Sequence, residues 1–186
     1  QQDTLGISGA RTLAHMSQIV LFHHALGMTP GVGAFAVALE QAGHVVHTPD
    51  LFEGQTFTDV RDGVAYAQSV GWTQILDRGR EAVQDLPPDL IYAGFSLGAM
   101  PAQALAQTRR GALGALLYYS AAPTTEFGTP WPDGLLLQMH IARNDPWDDL
   151  PVCQELAASV PSAELFVYPG STHLFAEEGS ADFEPE

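Results

Sequence analysis

The sequence contains no lysine, and its seven basic residues, all arginines, stand against 22 acidic residues, which gives a formal net charge of −15. A chain this acidic lacks the positive surface with which proteins attract nucleic-acid phosphates or anionic lipids. We therefore expect neither nucleic acid nor a membrane among its partners. The excess of carboxylates is typical of a well-solvated surface.

Cysteine and long apolar runs are also scarce. Cys153 is the only cysteine, which excludes a disulfide framework and a cysteine metal cluster. No apolar run is long enough to span a bilayer, and residues 1–15 lack the basic and apolar regions of a secretory signal. These absences predict a cytoplasmic protein, and no metal-binding motif is present.

A length of 186 residues with 46% hydrophobic residues predicts a single globular domain. Residues 1–15 show no clear hydrophobic period, and Met16 is a candidate natural start. We expect residues 1–15 to be disordered or to derive from cloning. Residues 16–186 are then expected to form one domain.

Short apolar segments alternate with segments of helical spacing along the chain. The apolar segments predict strands over 18–22, 44–48, 90–93, 112–119, 135–141 and 164–168. The helical patterns cover 32–41, 59–70, 72–86, 99–108 and 149–160. Such alternation is typical of a mostly parallel sheet with helices on both faces.

The third predicted strand runs directly into Gly94-Phe95-Ser96-Leu97-Gly98, and an alanine-rich helical pattern follows. In a strand–turn–helix of this kind a strained backbone lifts the serine hydroxyl above the sheet. The chain passes close to itself on both sides of the serine, where only glycine fits. A chance match in a flexible loop is the alternative, but the flanking elements favour Ser96 as a nucleophile.

A serine nucleophile needs a histidine base and a carboxylate that orients it. His173 follows the last predicted strand and Asp145 follows the strand before it, so both lie at the edge where ligands bind in parallel sheets. The order serine, acid, histidine also fits. Asp148 is the second choice for the acid, and Asp149 is another rival. Alone, His173 could be a surface histidine and Asp145 a helix cap.

An oxyanion formed at Ser96 needs two preorganised N–H groups. We predict that Leu97, the residue after the nucleophile, and Ala25, in the loop after the first strand, supply them. Phe52 and Trp147 lie in loops at the same edge. We predict that they line an acyl pocket, although loop aromatics can also cap the core.

These segments together resemble the dienelactone hydrolase family of α/β-hydrolases over about residues 18–175. The matching pieces are residues 21–27, Thr29-Pro30-Gly31, Pro49-Asp50-Leu51-Phe52, the serine turn, Asp145-Pro146, Tyr168-Pro169-Gly170 and His173-Leu174-Phe175. The resemblance implies an α/β-hydrolase fold with a minimal lid.

Three positions differ from the enzymes that give the family its name. Ser96 stands where they carry cysteine, and His24 stands at the place of an acidic residue near the oxyanion loop, which makes it a candidate substrate-binding residue. Glu53-Gly54 lies where they place an arginine that holds a substrate carboxylate. The resemblance thus implies the fold and hydrolase chemistry, but it does not extend to dienelactone as the substrate.

The expected function is that of a serine hydrolase that cleaves a small ester or lactone through an acyl-enzyme, without a cofactor. We expect a monomer or a homodimer. A thioesterase or acyl-protein esterase with the same triad is one alternative. A non-catalytic α/β-hydrolase fold that binds a small molecule is the other.

Overall fold

The structure is a computed structural model that describes residues 16–177. The prediction for residues 1–15 lies outside the described residues. Six strands form one sheet: β1 (Gln18–Phe22), β2 (Val45–His47), β3 (Leu90–Phe95), β4 (Gly114–Tyr118), β5 (Leu136–Ala142) and β6 (Ala163–Tyr168). Their order is β2-β1-β3-β4-β5-β6, and each neighbouring pair is parallel.

Five α-helices connect these strands: α1 (Pro30–Gln41), α2 (Val60–Val70), α3 (Trp72–Ala82), α4 (Ala99–Thr108) and α5 (Leu150–Ser159). The helix predicted over 72–86 ends four residues early, because the chain from Val83 onward turns back on itself through short-range bonds such as Leu86 N–H to the Val83 carbonyl. The loop predicted over 123–134 contains a short 3₁₀ helix, Thr124–Phe127. The other elements agree with the predictions to within two residues at each end.

The sheet separates two apolar layers. Alternate residues of a strand point to opposite faces, so Val20 belongs to a large cluster with residues of α2, α3, α4 and α5. Its neighbours Ile19 and Leu21 belong to a second cluster with Val32 and Ala36 of α1. This arrangement confirms the predicted fold, a parallel sheet with helices on both faces.

Parallel pairing brings the carboxyl ends of the strands to one edge of the sheet. The register aligns Phe22 of β1 with Gly94 of β3, and Tyr118 of β4 with His140 of β5. The loops that follow these strands therefore meet above that edge, where an open parallel sheet binds its ligand. Between residues 16 and 177, no helix is both long enough and apolar enough to cross a membrane.

Candidate active site

Ser96 occupies the sharp turn between β3 and α4. Its φ angle is 51°, a left-handed conformation that costs energy for any residue with a side chain. A Cβ on Gly94 would collide with the Gly98 backbone, and a Cβ on Gly98 would collide with the Phe22 carbonyl. Glycine on both sides therefore lets the chain hold Ser96 in this conformation.

The structure brings Ser96, His173 and Asp145 together in a hydrogen-bonded row. Nε2 of His173 lies 2.8 Å from Oγ of Ser96, and its Nδ1 lies 2.7 Å from Oδ2 of Asp145. The side chains of His173 and Asp145 are buried. The backbone N–H of Trp147 donates to the second carboxylate oxygen of Asp145 at 2.9 Å, which fixes the carboxylate plane. Of the three acids considered, Asp145 is therefore the one paired with the histidine.

This row sets the tautomer of His173. An ionised carboxylate only accepts hydrogen bonds, so Nδ1 of His173 carries a proton that it donates to Asp145. When the imidazole is neutral, Nε2 then has a free lone pair that accepts the Ser96 hydroxyl. The arrangement can therefore take a proton from Ser96 and hold the resulting imidazolium beside a carboxylate.

The loop after β1 is anchored by His23, which is fully buried. Its Nδ1 lies 2.7 Å from the His24 carbonyl, and its Nε2 accepts the Leu51 N–H at 2.9 Å. Burial is the main cause that lowers the pKa of His23 to about 4, so the ring is neutral at pH 7.

Ala25 is buried in this loop and Leu97 directly follows Ser96. Their role as oxyanion donors remains a prediction.

The proposed contact of His24 with substrate is not compatible with the structure. The side chain is 1% exposed, its Nδ1 accepts the Leu26 N–H at 3.1 Å, and its Nε2 lies 2.6 Å from the carboxylate of Glu177. These partners occupy both ring nitrogens. His24 is therefore corrected to a residue that holds the loop after β1 to the segment that follows His173.

Sequence reasoning missed Glu177, because it lies in an acidic stretch without periodicity. Its carboxylate is 4% exposed, pairs with His24 and accepts a hydrogen bond from the Thr29 hydroxyl. Burial alone would raise the pKa of Glu177, but the contacts with His24 and Thr29 outweigh it and hold that pKa below its usual value. The carboxylate thus ties the segment after His173 to the start of α1.

Sequence reasoning also missed Tyr119, whose ring packs against that of His173. The residue follows β4, is fully buried and has a φ angle of 73°. Its ring centroid lies 5.4 Å from that of His173, and its hydroxyl accepts the Ala176 N–H at 3.1 Å. Burial raises the pKa of Tyr119, so the hydroxyl stays neutral. The sequence placed Tyr119 at the last position of the strand predicted over 112–119, whereas the structure ends β4 at Tyr118 and gives Tyr119 a left-handed backbone.

Phe52, predicted to line the acyl pocket, instead lies in the core. It has no exposed surface and packs edge-on against His23, Phe57 and Tyr66. It can contact no substrate in this arrangement, so the alternative interpretation, that it caps the core, is the correct one.

A cleft of about 410 Å³ opens beside Ser96. Its apolar wall consists of Val64, Trp72, Ile75, Leu76, Leu97, Met100 and Trp147. The polar residues that line the cleft are Ser96, Ser120, Glu126 and Asp149. Ser120 is hydrogen-bonded to Asp149. Trp147 therefore lies where the sequence placed it. Most of the remaining wall comes from α2, α3 and α4, whose inward faces cannot be assigned to a pocket before the helices are packed.

The single cysteine contributes nothing to this site. Cys153 is buried in α5, and burial is the main cause that raises its pKa to about 12, so its thiol is protonated. Within residues 16–177, no group of three or more histidine, cysteine, aspartate or glutamate side chains is arranged to hold a metal ion.

The model of the dienelactone hydrolase family matches residues 7–186. No curated protein sequence matches the chain. A dienelactone hydrolase from Anabaena variabilis has a similar structure, with a TM-score of 0.67 and 18% identity, covering 89% of this chain and 81% of that one.

Two further solved structures are similar. Alpha/beta hydrolase domain-containing protein 10 from mouse gives a TM-score of 0.67 at 13% identity, covering 88% of this chain and 84% of that one. The thioesterase domain from the curacin biosynthetic pathway gives 0.63 at 14% identity, covering 90% and 89%. At these identities the likeness concerns the fold.

Proposed function

Because this chain belongs to the dienelactone hydrolase family of α/β-hydrolases, we propose that it is a serine hydrolase that cleaves a small ester or lactone. One observation carries the proposal: the row from Ser96 through His173 to Asp145, with contacts of 2.8 and 2.7 Å. It opens onto a mainly apolar cleft. The family match itself supports hydrolase activity.

In the proposed first half-reaction, Oγ of Ser96 attacks the substrate carbonyl carbon while Nε2 of His173 takes the hydroxyl proton. The negative charge moves onto the carbonyl oxygen, which the N–H groups of Leu97 and Ala25 are proposed to bind. When the tetrahedral intermediate collapses, the carbon–oxygen bond to the leaving group breaks. His173 returns the proton to that oxygen, and an acyl-enzyme remains on Ser96.

In the second half-reaction, water takes the place of the leaving alcohol. His173 removes a proton from the water as it attacks the acyl carbon, and then protonates Oγ of Ser96 as the acid departs. Asp145 keeps the imidazole in the required tautomer throughout. For a lactone, the alcohol released in the first half-reaction stays attached to the acyl group, and the product is a hydroxy acid.

Two other interpretations predict different results with the same protein. A thioesterase would hydrolyse a thioester much faster than the oxygen ester of the same acyl group, after correction for the reactivity of each toward hydroxide. A non-catalytic binder would hydrolyse neither. Parallel measurements of kcat/KM on a matched pair of small esters and thioesters distinguish the three cases.

We predict that neutral esters are preferred over anionic ones. The chain has a net charge of −15, and the charged groups that line the cleft are Glu126 and Asp149, so a substrate carboxylate meets a repulsive field. The test compares kcat/KM for the para-nitrophenyl monoester of adipate with that of a neutral isostere ending in an isopropyl group. We expect the neutral ester to be better by about tenfold at low salt, and by less at moderate salt.

Arg143 provides the control for this prediction. It lies two residues before Asp145, and the residue is exposed. If the adipate monoester were the better substrate, and if Arg143→Ala abolished that preference, the arginine would be a carboxylate clamp and the prediction would be wrong.

A further inference from the structure

The cleft beside Ser96 contains negative groups without positive ones. Glu126 and Asp149 are among its lining residues, and none of the seven arginines is, while lysine does not occur in the sequence. Two arginines of α3, the helix that supplies Trp72, Ile75 and Leu76 to the cleft, have other partners. Arg78 binds the Leu51 carbonyl and Glu53, and Arg80 pairs with Asp77. Among the described residues that line the cleft, no lysine or arginine thus faces these two carboxylates, although His173, when protonated, lies close enough to lower the pKa of Asp149.

Asp149 is the more deeply placed of the two acids. Burial is the main cause that raises its pKa, the neighbouring carboxylate of Asp145 adds to the rise, and the hydrogen bond with Ser120 opposes it. A carboxylate that has lost part of its hydration gains from a positive charge placed beside it. A cation is therefore stabilised more strongly in the cleft than on the open surface of the protein.

Two tryptophans of the same wall are left uncovered. Trp72 at the start of α3 is 44% exposed and Trp147 is 39% exposed, whereas Trp131 is only 9% exposed and donates its indole N–H to the Leu135 carbonyl. Trp131 thus serves the fold. Trp72 and Trp147 both line the cleft and keep exposed surface, although the Trp147 ring also contacts that of His173 at 5.8 Å between centroids; an indole face is the aromatic surface that attracts cations most strongly.

We propose that the cleft binds a cationic group of the substrate, namely a quaternary or alkylated ammonium, against the indoles of Trp72 and Trp147 and the carboxylates of Asp149 and Glu126. This inference rests on the proposed function and names its substrate class: a small ester that carries an ammonium group in its acyl or its alcohol part. A methylated ammonium suits the site for two reasons. Its methyl groups present an apolar surface to the wall of the cleft, and its positive charge is spread over those methyl groups.

Binding is tested first, without catalysis. Choline and its neutral isostere, in which a tert-butyl group replaces trimethylammonium, have the same shape and differ in charge. At low salt, isothermal titration calorimetry on the wild-type protein is expected to give a Kd for choline that is about tenfold lower than the Kd for the neutral isostere. The advantage is expected to shrink as salt is raised, because the charges lie in a partly open cleft.

Variants identify the groups responsible. Asp149→Asn and Glu126→Gln each remove one negative charge from the cleft, and Glu155→Gln removes one from the exposed side of α5 as a matched control. Trp72→Leu removes an indole face but keeps apolar surface. We expect Asp149→Asn and Glu126→Gln each to weaken choline binding about threefold or more with little change for the isostere, and Trp72→Leu to weaken the binding of choline more than that of the isostere. The Glu155→Gln variant should bind choline as the wild type does.

Turnover completes the test. The para-nitrophenyl ester of a trimethylammonium-terminated butanoate is compared with its tert-butyl isostere, with each kcat/KM divided by the rate constant for hydroxide. A preference for the cation that Asp149→Asn and Glu126→Gln reduce supports the proposal. Equal Kd values for choline and its isostere, or a preference that survives both substitutions, would overturn it. In that case hydrolysis of the neutral ester would leave the proposed function standing, whereas an absence of all turnover would instead contradict the proposed function.

Discussion

Replacing Ser96 with alanine is expected to reduce kcat on a small activated ester by about 10⁵-fold or more, because removal of a triad serine eliminates the acyl-enzyme route. Alanine retains the Cβ, so the turn keeps its shape and the fold should be unaffected. Circular dichroism and the thermal midpoint check this point. Activity within tenfold of the wild type would mean that Ser96 is not the nucleophile.

The second large effect is expected at Asp145. Asparagine keeps the shape of the side chain and can still accept the Trp147 N–H, but its amide can donate to Nδ1 of His173. The proton of the neutral imidazole would then lie on Nε2, which faces Ser96 and could no longer accept the hydroxyl proton. We expect kcat for Asp145→Asn to fall by about 10⁴-fold, with little change in stability.

Asp148 supplies the control for this substitution. It has a φ angle of 57°, a left-handed conformation that asparagine tolerates well, so Asp148→Asn changes one charge without straining the loop. Its effect on kcat should be small. If Asp148→Asn were the more damaging variant, the acid would have been assigned to the wrong residue of this loop.

The fold and the hydrogen-bonded row of Ser96, His173 and Asp145 could be predicted because the sequence patterns that indicate them are local. Apolar segments of strand length alternate with helical patterns, and parallel strands have only one edge at which their carboxyl ends meet. Any residue that follows a strand, such as His173 or Asp145, is therefore assigned to that edge before the structure is known. The turn at Ser96 adds a second local signal, since its two glycines are dictated by backbone contacts.

The incorrect assignments concern packing between distant segments. His24 is paired with Glu177, more than 150 residues later in the chain, and no local pattern indicates such a contact. Phe52 lies in the expected loop, but its side chain turns into the core against Tyr66 of α2. The position of a loop can be predicted from the strand before it, whereas the direction of a side chain in that loop depends on helices that pack later.

Labelling with a fluorophosphonate probe, followed by intact mass and peptide mapping, asks directly whether Ser96 is the nucleophile. We expect one adduct per chain, located on Ser96, and none on the Ser96→Ala variant. The Asp145→Asn variant should react much more slowly, because its histidine cannot accept the serine proton. An unlabelled wild-type protein, or an adduct on another residue of the cleft such as Ser120 instead of Ser96, would contradict the account.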